Sequence, residues 1–95
     1  MIKVVAKQTI KEDMIESCKK VISGLVEETR KEEGCISYEL YQDIKKKNIL
    51  TFIEEWESTD ALKRHMNTKH FLEATPKISA MQEKEEEINV YSVVF

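Results

Sequence analysis

Apolar and polar residues alternate with a period of two in several segments, a pattern typical of β-strands. The alternation covers residues 2–8, 35–43 and 49–56, and a last strand is predicted at residues 88–95, which are apolar on both faces. The polar run 43–48 separates two of these segments and predicts a hairpin loop. Because neither middle strand has a wholly polar face, we expect apolar groups to cover both sides of the sheet.

A helical period follows the first strand. The apolar positions that share one helical face are Met14, Cys18, Val21, Ile22, Leu25 and Thr29. Thr9 and Glu12 have the spacing of a capping box, which predicts that the helix begins there. Gly34 is predicted to end the helix in a left-handed conformation, after about six turns. Gly24 inside this helix costs roughly 1 kcal/mol relative to alanine, and a close approach of the helix to the sheet is one reason for a glycine there.

A second helical segment follows the third strand, and two hydroxyl residues mark where its parts begin. Ser58 and Thr68 are placed to accept hydrogen bonds from backbone groups of the residues after them, as N-cap residues do. The buried side of the first part is predicted to consist of Ala61, Leu62, His65 and Met66. Pro76 lacks a backbone donor and predicts a kink or a restart in the second part.

The predicted order of elements is β-α-β-β-α-β. It predicts an α+β fold of the ferredoxin-like type, a βαββαβ protomer with a four-stranded antiparallel sheet and helices on one face. The chain is expected to form a single domain over residues 1–95. Because no further element is left to cover the other face of the sheet, we expect a homodimer in which two sheets pack through these faces.

Composition and charge argue against several classes of function. The net charge is −3 and no basic stripe is interleaved with aromatic residues, so nucleic acid is not an expected partner. No segment approaches the roughly 20 apolar residues of a membrane span, and no signal peptide is recognisable, so we expect a cytoplasmic protein without membrane contact. Cys18 and Cys35 lack metal-ligand spacing and are expected to be reduced. With only two glycines there is no phosphate-binding loop, so no flavin or nicotinamide is expected.

Residues 33–71 collect the only tryptophan and both histidines. On an unbroken helix His65 and His70 would lie about 140° apart, which is too far for one shared metal ion. No metal site is therefore expected. Each histidine either forms hydrogen-bonded packing or lines a pocket as a proton donor or acceptor.

Glu54 points to the same face of its strand as Phe52 and Trp56. A carboxyl group among aromatic rings is a candidate for a raised pKa; the alternatives are an ion pair with a neighbouring lysine or a position at the rim. Trp56 is either a core residue or one wall of a pocket for a flat aromatic ligand. Glu55 points to the opposite face, so the two glutamates are not expected to act together.

The stretches EEGCISYELYQD and NILTFIEEWESTDALKRHMNTKHF resemble the antibiotic biosynthesis monooxygenase domain family. Within that family they are most similar to the small quinol monooxygenases. The matching positions are Glu33-Gly34-Cys35, Tyr38 to Asp43, Glu54 to Ser58 and His65 to Phe71. The resemblance implies a ferredoxin-like protomer that pairs sheet to sheet into a dimeric α/β barrel.

The resemblance also implies a reaction. Several members of the family oxidise quinols or polycyclic aromatic molecules with O2 and need no cofactor, neither metal nor flavin, because an electron-rich aromatic anion supplies the electrons. By this resemblance the chain is a cofactor-independent monooxygenase that binds a small apolar or aromatic ligand. The residues expected to line the substrate pocket are Trp56, Phe52, Tyr38 and Phe71. Proton transfer is expected to be assisted by His65, His70 or Glu54.

Two departures from the family pattern narrow this expectation. Phe52 stands where members that oxidise polyketide aromatics carry an asparagine. The positions that the haem-degrading branch uses are here Ala6 or Lys7, His65 and Thr75, so haem is not expected. Two other functions stay open: a non-catalytic module, of the stress-response kind, that senses or shields a small apolar molecule, and an isomerase of a small reactive metabolite on the same fold.

Overall fold

The computed structural model describes residues Met1–Phe95 and contains one four-stranded sheet with helices on one face. The strands are β1 (Ile2–Thr9), β2 (Cys35–Gln42), β3 (Ile49–Trp56) and β4 (Glu87–Ser92). The helices are a short 3₁₀ turn (Glu12–Met14), α1 (Ile15–Thr29), α2 (Thr59–His65) and α3 (Lys69–Met81). The strand order is β2-β3-β1-β4 and every neighbouring pair is antiparallel. The predicted ferredoxin-like α+β fold is confirmed.

The core lies between the helices and one face of the sheet. The alternation predicted for β3 is confirmed: Leu50, Phe52, Glu54 and Trp56 are all buried, whereas the residues between them are partly exposed. From β1 and α1 the core contains Val4, Ala6, Cys18, Ile22 and Leu25. None of the helices combines the length and the apolar character needed to cross a lipid bilayer.

The start of α1 differs from the prediction. Thr9 belongs to β1, where it pairs with Ile49, and its carbonyl oxygen accepts a hydrogen bond from the backbone N–H of Glu83 at 2.8 Å. Thr9 therefore cannot serve as an N-cap, and the predicted capping box with Glu12 was wrong. The helix begins at Ile15 after the 3₁₀ turn and has 15 residues, which is about four turns rather than six.

The two glycines differ in their backbone conformation and in the space around them. Gly34 has a φ of 89°, so the predicted left-handed conformation is confirmed. Its predicted role in ending the helix was wrong, because α1 already ends at Thr29 and Gly34 lies directly before β2. A Cβ atom at Gly34 would lie 2.6 Å from the Cβ atom of Ala61 in α2. A Cβ atom at Gly24 would meet nothing within 4 Å, so the expected close approach to the sheet at that position was wrong.

The predicted caps of the last two helices are confirmed. Ser58 Oγ accepts a hydrogen bond from the backbone N–H of Ala61 at 3.1 Å, and Thr68 Oγ1 accepts one from Phe71 at 3.3 Å. Met66 is 38% exposed, so its predicted place on the buried side of α2 was wrong. Pro76 lies inside α3 without ending or restarting the helix.

The last strand is shorter and more exposed than predicted. β4 ends at Ser92 instead of Phe95, and all six of its residues are exposed. It pairs with β1 alone and forms one edge of the sheet. The helices lie over the other strands, so Ile88 and Val90 are 53% exposed although their partners on β1 are buried.

The contrast between the two glycines predicts opposite effects of the same substitution. We expect Gly34→Ala to lower the free energy of unfolding by at least about 1–2 kcal/mol, because the left-handed conformation is strained for alanine and the new methyl group meets Ala61. Gly24→Ala is the matched control and should raise it by up to about 1 kcal/mol through helix propensity. Urea denaturation measures both, and equal effects of the two substitutions would contradict this account.

Candidate functional site

A cleft of about 440 Å³ opens between the helix-covered face of the sheet and α3. Tyr38 and Phe52 form part of its apolar surface on the sheet side, and Phe71 contributes from the first turn of α3. Glu54 also reaches the cleft. Apolar and aromatic walls with a small number of converging polar groups are typical of sites for small organic ligands.

Glu54 is buried without a cationic partner. It is 6% exposed, and its Oε1 accepts a hydrogen bond from the indole Nε1–H of Trp56 at 2.9 Å. Burial raises the pKa of Glu54 to about 7; the hydrogen bond from Trp56 opposes this shift, and the negative charges of Glu86 and Glu32 add to it. The sequence left open an ion pair with lysine, and no lysine lies within ion-pairing distance of Glu54.

Tyr38 stands beside Glu54 on the neighbouring strand, because these two residues are partners in the register of β2 and β3. Its ring packs against Phe52 with 5.4 Å between the ring centroids. Burial and then the charge of Glu54 raise the pKa of the Tyr38 hydroxyl far above its ordinary value. Tyr38 is therefore a neutral phenol at every physiological pH.

A polar group closes one end of the cleft and was not predicted. Gln8 is 3% exposed and donates a hydrogen bond to Glu86, and Gln82 donates one to the side-chain oxygen of Gln8. The alternation of β1 places Gln8 on the same face as Val4 and Ala6, which was the available signal. The cleft has three carboxyl groups, those of Glu54, Glu85 and Glu86, and no basic residue.

The two histidines meet at one carboxylate. His65 is the last residue of α2 and His70 lies in the first turn of α3, so the helix is interrupted between them. Glu32 Oε2 lies 2.8 Å from His65 Nδ1 and 2.5 Å from His70 Nε2. The prediction that the two histidines point about 140° apart was therefore wrong, because their side chains converge on Glu32. Sequence reasoning missed Glu32, although it stands in the stretch EEGC that carries the family resemblance.

His65 is packed inside an aromatic layer. It is 1% exposed, and its ring centroid lies 4.6 Å from that of Trp56, 4.9 Å from Phe71 and 5.4 Å from Tyr38. Burial lowers the pKa of His65, and the hydrogen bond with Glu32 opposes this shift. Burial therefore favours the neutral imidazole. The contact with Glu32 favours the tautomer with its proton on Nδ1, which donates to the carboxylate.

The predicted site residues occupy three places in the structure. Four of them, Tyr38, Phe52, Phe71 and Glu54, line the cleft. Trp56 is fully buried and lies behind the cleft, where it contacts both Glu54 and His65. His65 belongs to the aromatic layer behind the cleft, His70 lies beside it at Glu32, and neither histidine lines the cleft.

The protein is a ferredoxin-like α+β domain with a partly apolar cleft between its sheet and its helices. A model of the antibiotic biosynthesis monooxygenase family matches residues 1–77. The chain belongs to this family, as its sequence resemblance indicated.

Solved structures and curated sequences support the same assignment. A conserved protein from Methanosarcina mazei Go1 is 42% identical, with a TM-score of 0.93 over 95% of this chain and 89% of that chain. A crystal structure described as an antibiotic biosynthesis monooxygenase is 36% identical, with a TM-score of 0.96 over 99% of both chains. The protein sll1783 of Synechocystis is 33% identical over 84 residues, 88% of this chain, which spans 57% of that protein's length.

The raised pKa of Glu54 predicts a specific dependence of stability on pH. The folded protein holds the Glu54 proton more tightly than the unfolded chain, so its free energy of unfolding falls as pH rises from 4.5 through about 7. Glu54→Gln carries a neutral group of the same shape and lacks this contribution. Relative to Glu54→Gln, the wild type should therefore lose roughly 3 kcal/mol across this range, at about 1.4 kcal/mol per pKa unit.

Denaturant unfolding of both proteins at a series of pH values measures this difference. Other titrating groups, His65 among them, affect both proteins and largely cancel in the comparison. A difference in stability that stays constant from pH 4.5 to about 7 would show that Glu54 is not buried as described.

Proposed function

We propose that this protein is a cofactor-independent monooxygenase that oxidises a quinol-like or other electron-rich aromatic molecule with O2. The observation that carries the proposal is one buried carboxyl group, that of Glu54, facing a cleft walled by Tyr38, Phe52 and Phe71. Membership of the antibiotic biosynthesis monooxygenase family supports it. In such a reaction one oxygen atom of O2 enters the ring, the other leaves as water, and the aromatic substrate supplies all the electrons.

Glu54 acts as the general base in this proposal. A base is most effective when its pKa lies near the working pH, and burial brings that of Glu54 to about 7. Its carboxylate accepts the proton of a substrate hydroxyl and leaves an electron-rich anion that reduces O2. Trp56 donates a hydrogen bond to Glu54 Oε1 and so fixes the orientation of the carboxylate.

The charge of the cleft limits what it binds. Glu85 and Glu86 stand at the same cleft as Glu54 and no basic side chain balances them, so an uncharged ligand is favoured over one with a carboxylate. Transfer of a proton from a bound hydroxyl to Glu54 leaves the total charge of the cleft unchanged. Formation of the substrate anion therefore adds no charge beside Glu86.

Oxygen consumption with a panel of reduced quinols tests the proposal. A quinol solution with chelator-treated protein should consume O2 faster than the same solution without protein. Glu54→Gln should lower kcat by at least about 100-fold, the ordinary contribution of a general base. Glu55→Gln is the matched control, because Glu55 stands next in β3 on the opposite face and forms a surface ion pair with Lys3. It should keep the wild-type rate.

The same assay separates the alternatives. Absence of O2 consumption above the autoxidation rate would contradict the monooxygenase proposal. Quinol binding without turnover would then support a non-catalytic binding module, and conversion of a small metabolite without O2 would support an isomerase. Equal loss of activity in Glu54→Gln and Glu55→Gln would contradict the proposed role of Glu54 as the general base.

The proposal includes a homodimer that pairs through the helix-free faces of the sheets. On this face Val5 and Ile53 are partners in the ladder of β1 and β3 and are partly exposed. Tyr41 and Tyr91 stand on the same face and are 50% and 51% exposed.

We also place the protein in the cytoplasm, where thiols stay reduced, in keeping with the unpaired Cys18 and Cys35.

Sedimentation of two matched variants tests the dimer. Ile53→Lys places a charge in the centre of the proposed interface and should raise the dimer Kd at least about tenfold, which is about 1.4 kcal/mol. Ile44→Lys makes the same change in the loop between β2 and β3, where Ile44 is 97% exposed, and should leave the Kd unchanged. A wild-type protein that sediments as a monomer at micromolar concentration would contradict the dimer.

A further inference from the structure

Glu32, His65 and His70 form a cluster outside the proposed catalytic cleft. One atom from each side chain, Glu32 Oε2, His65 Nδ1 and His70 Nε2, can act as a metal ligand, and the three atoms lie within 4.8 Å of one another. None of the three residues lines the cleft. The monooxygenase proposal therefore leaves this cluster without a complete explanation.

Three separate parts of the chain supply these side chains. Glu32 lies between α1 and β2, His65 ends α2, and His70 lies in the first turn of α3. The segment of Glu32 is held by two backbone hydrogen bonds, one donated to Thr29 O at 3.0 Å and one accepted from Cys35 N–H at 3.2 Å. A constellation held by its own surroundings loses little freedom when it takes up an ion.

The imidazole of His65 and the start of the helix that carries His70 are also fixed in place. The ring of His65 is packed against Trp56 and Phe71, and the His65 carbonyl accepts a hydrogen bond from Thr68 Oγ1 at 2.7 Å. Thr68 in turn caps α3, the helix that carries His70. The turn between α2 and α3 thus sets the direction of both rings toward Glu32.

The spacing fits one small divalent ion. Zn²⁺ and similar ions bind imidazole nitrogen and carboxylate oxygen at about 2.0–2.2 Å, so their ligand atoms lie about 3–3.5 Å apart. The distances from Glu32 Oε2, 2.8 Å to His65 Nδ1 and 2.5 Å to His70 Nε2, are slightly shorter than this. The three atoms lie within 4.8 Å of one another, so ligand spacing requires a small outward movement of the carboxylate, which is 12% exposed, and an adjustment of the His70 ring, which is 23% exposed.

We propose that Glu32, His65 and His70 bind one divalent first-row transition ion of the zinc type. Two imidazoles and one carboxylate suit Zn²⁺, Fe²⁺, Co²⁺ or Ni²⁺, whereas Mg²⁺ and Ca²⁺ prefer oxygen ligands. The side chain of His70 is 23% exposed, so the ion has access from solvent and water fills its remaining positions. The ion links the segment before β2 to the turn between α2 and α3 and takes no part in the proposed oxidation.

Fluorescence of the only tryptophan reports this binding directly. The Trp56 ring lies 4.6 Å from the ring of His65, so a paramagnetic Co²⁺ ion at the cluster should quench its emission. Chelator-treated full-length protein titrated with Co²⁺ should show saturable quenching by one equivalent, and Zn²⁺ should reverse it. Mg²⁺ and Ca²⁺ should do neither.

Matched variants assign the site. Glu32→Gln and His70→Gln each remove one ligand and should weaken Co²⁺ binding by at least about tenfold, since loss even of a residue supporting a ligand costs 10–100-fold. Glu33→Gln removes the same charge from the adjacent exposed residue and should keep wild-type affinity. His70 is the more exposed of the two histidines, so its substitution should not unfold the protein. An unchanged circular dichroism spectrum of His70→Gln would verify this.

Two results would overturn the proposal. One is the absence of saturable quenching of the wild type by Co²⁺ at millimolar concentration. The other is unchanged Co²⁺ affinity in both Glu32→Gln and His70→Gln. Glu54→Gln should retain full Co²⁺ affinity, because Glu54 belongs to the cleft and not to the cluster. Co²⁺ titration therefore tests the metal site independently of the oxidation proposal.

Discussion

The contact of one carboxylate with two imidazoles organises the layer of aromatic residues on which the candidate site depends. Glu32 Oε2 contacts His65 at 2.8 Å, and the ring of His65 packs on Trp56. Trp56 in turn donates a hydrogen bond to Glu54 at 2.9 Å, and Glu54 faces the cleft. A continuous series of contacts therefore runs from the segment before β2 to the proposed general base.

Two glutamates in this series have opposite surroundings. Glu32 has two imidazole groups around one of its oxygens, whereas Glu54 has one indole donor and nearby carboxylates. Burial without a cation makes Glu54 the group whose protonation changes near neutral pH. Different environments thus assign different tasks to the same side chain, a principle known from many acid–base sites.

Much of the fold could be predicted from local patterns. The period of two in β3 identified Phe52 and Glu54 as inward residues, and the hydroxyl groups of Ser58 and Thr68 marked the starts of α2 and α3. The prediction at Thr9 failed because its backbone is committed to the sheet by partners distant in sequence. A capping pattern contains no information about that competition.

The candidate site was only partly predictable, for the same reason. Alternation shows that Trp56 points inward, but it does not show that Trp56 is covered completely, by a layer that includes His65. The contact between Glu32 and His65 joins residues 33 positions apart, and no local spacing reveals it. The convergence of the histidines depends on the turn after α2, which the helical rotation argument left out.

The exposed edge strand bears on how the proposed cleft would work. Ile88 lines the cleft but is 53% exposed, and Val90 beyond it is equally exposed, because no helix of this chain lies over β4. Phe95 extends past the end of this strand and contacts no covering element. An apolar wall that is open to water binds an aromatic ligand weakly and leaves its reactive anion hydrated. Ile88 and Val90 are partners of the buried residues Ala6 and Val4, so they lie on the helix-covered face, opposite the proposed dimer interface. Pairing of the helix-free faces alone therefore leaves this side of the cleft open, and the proposed chemistry requires a ligand or a second chain that reaches over the edge at β4.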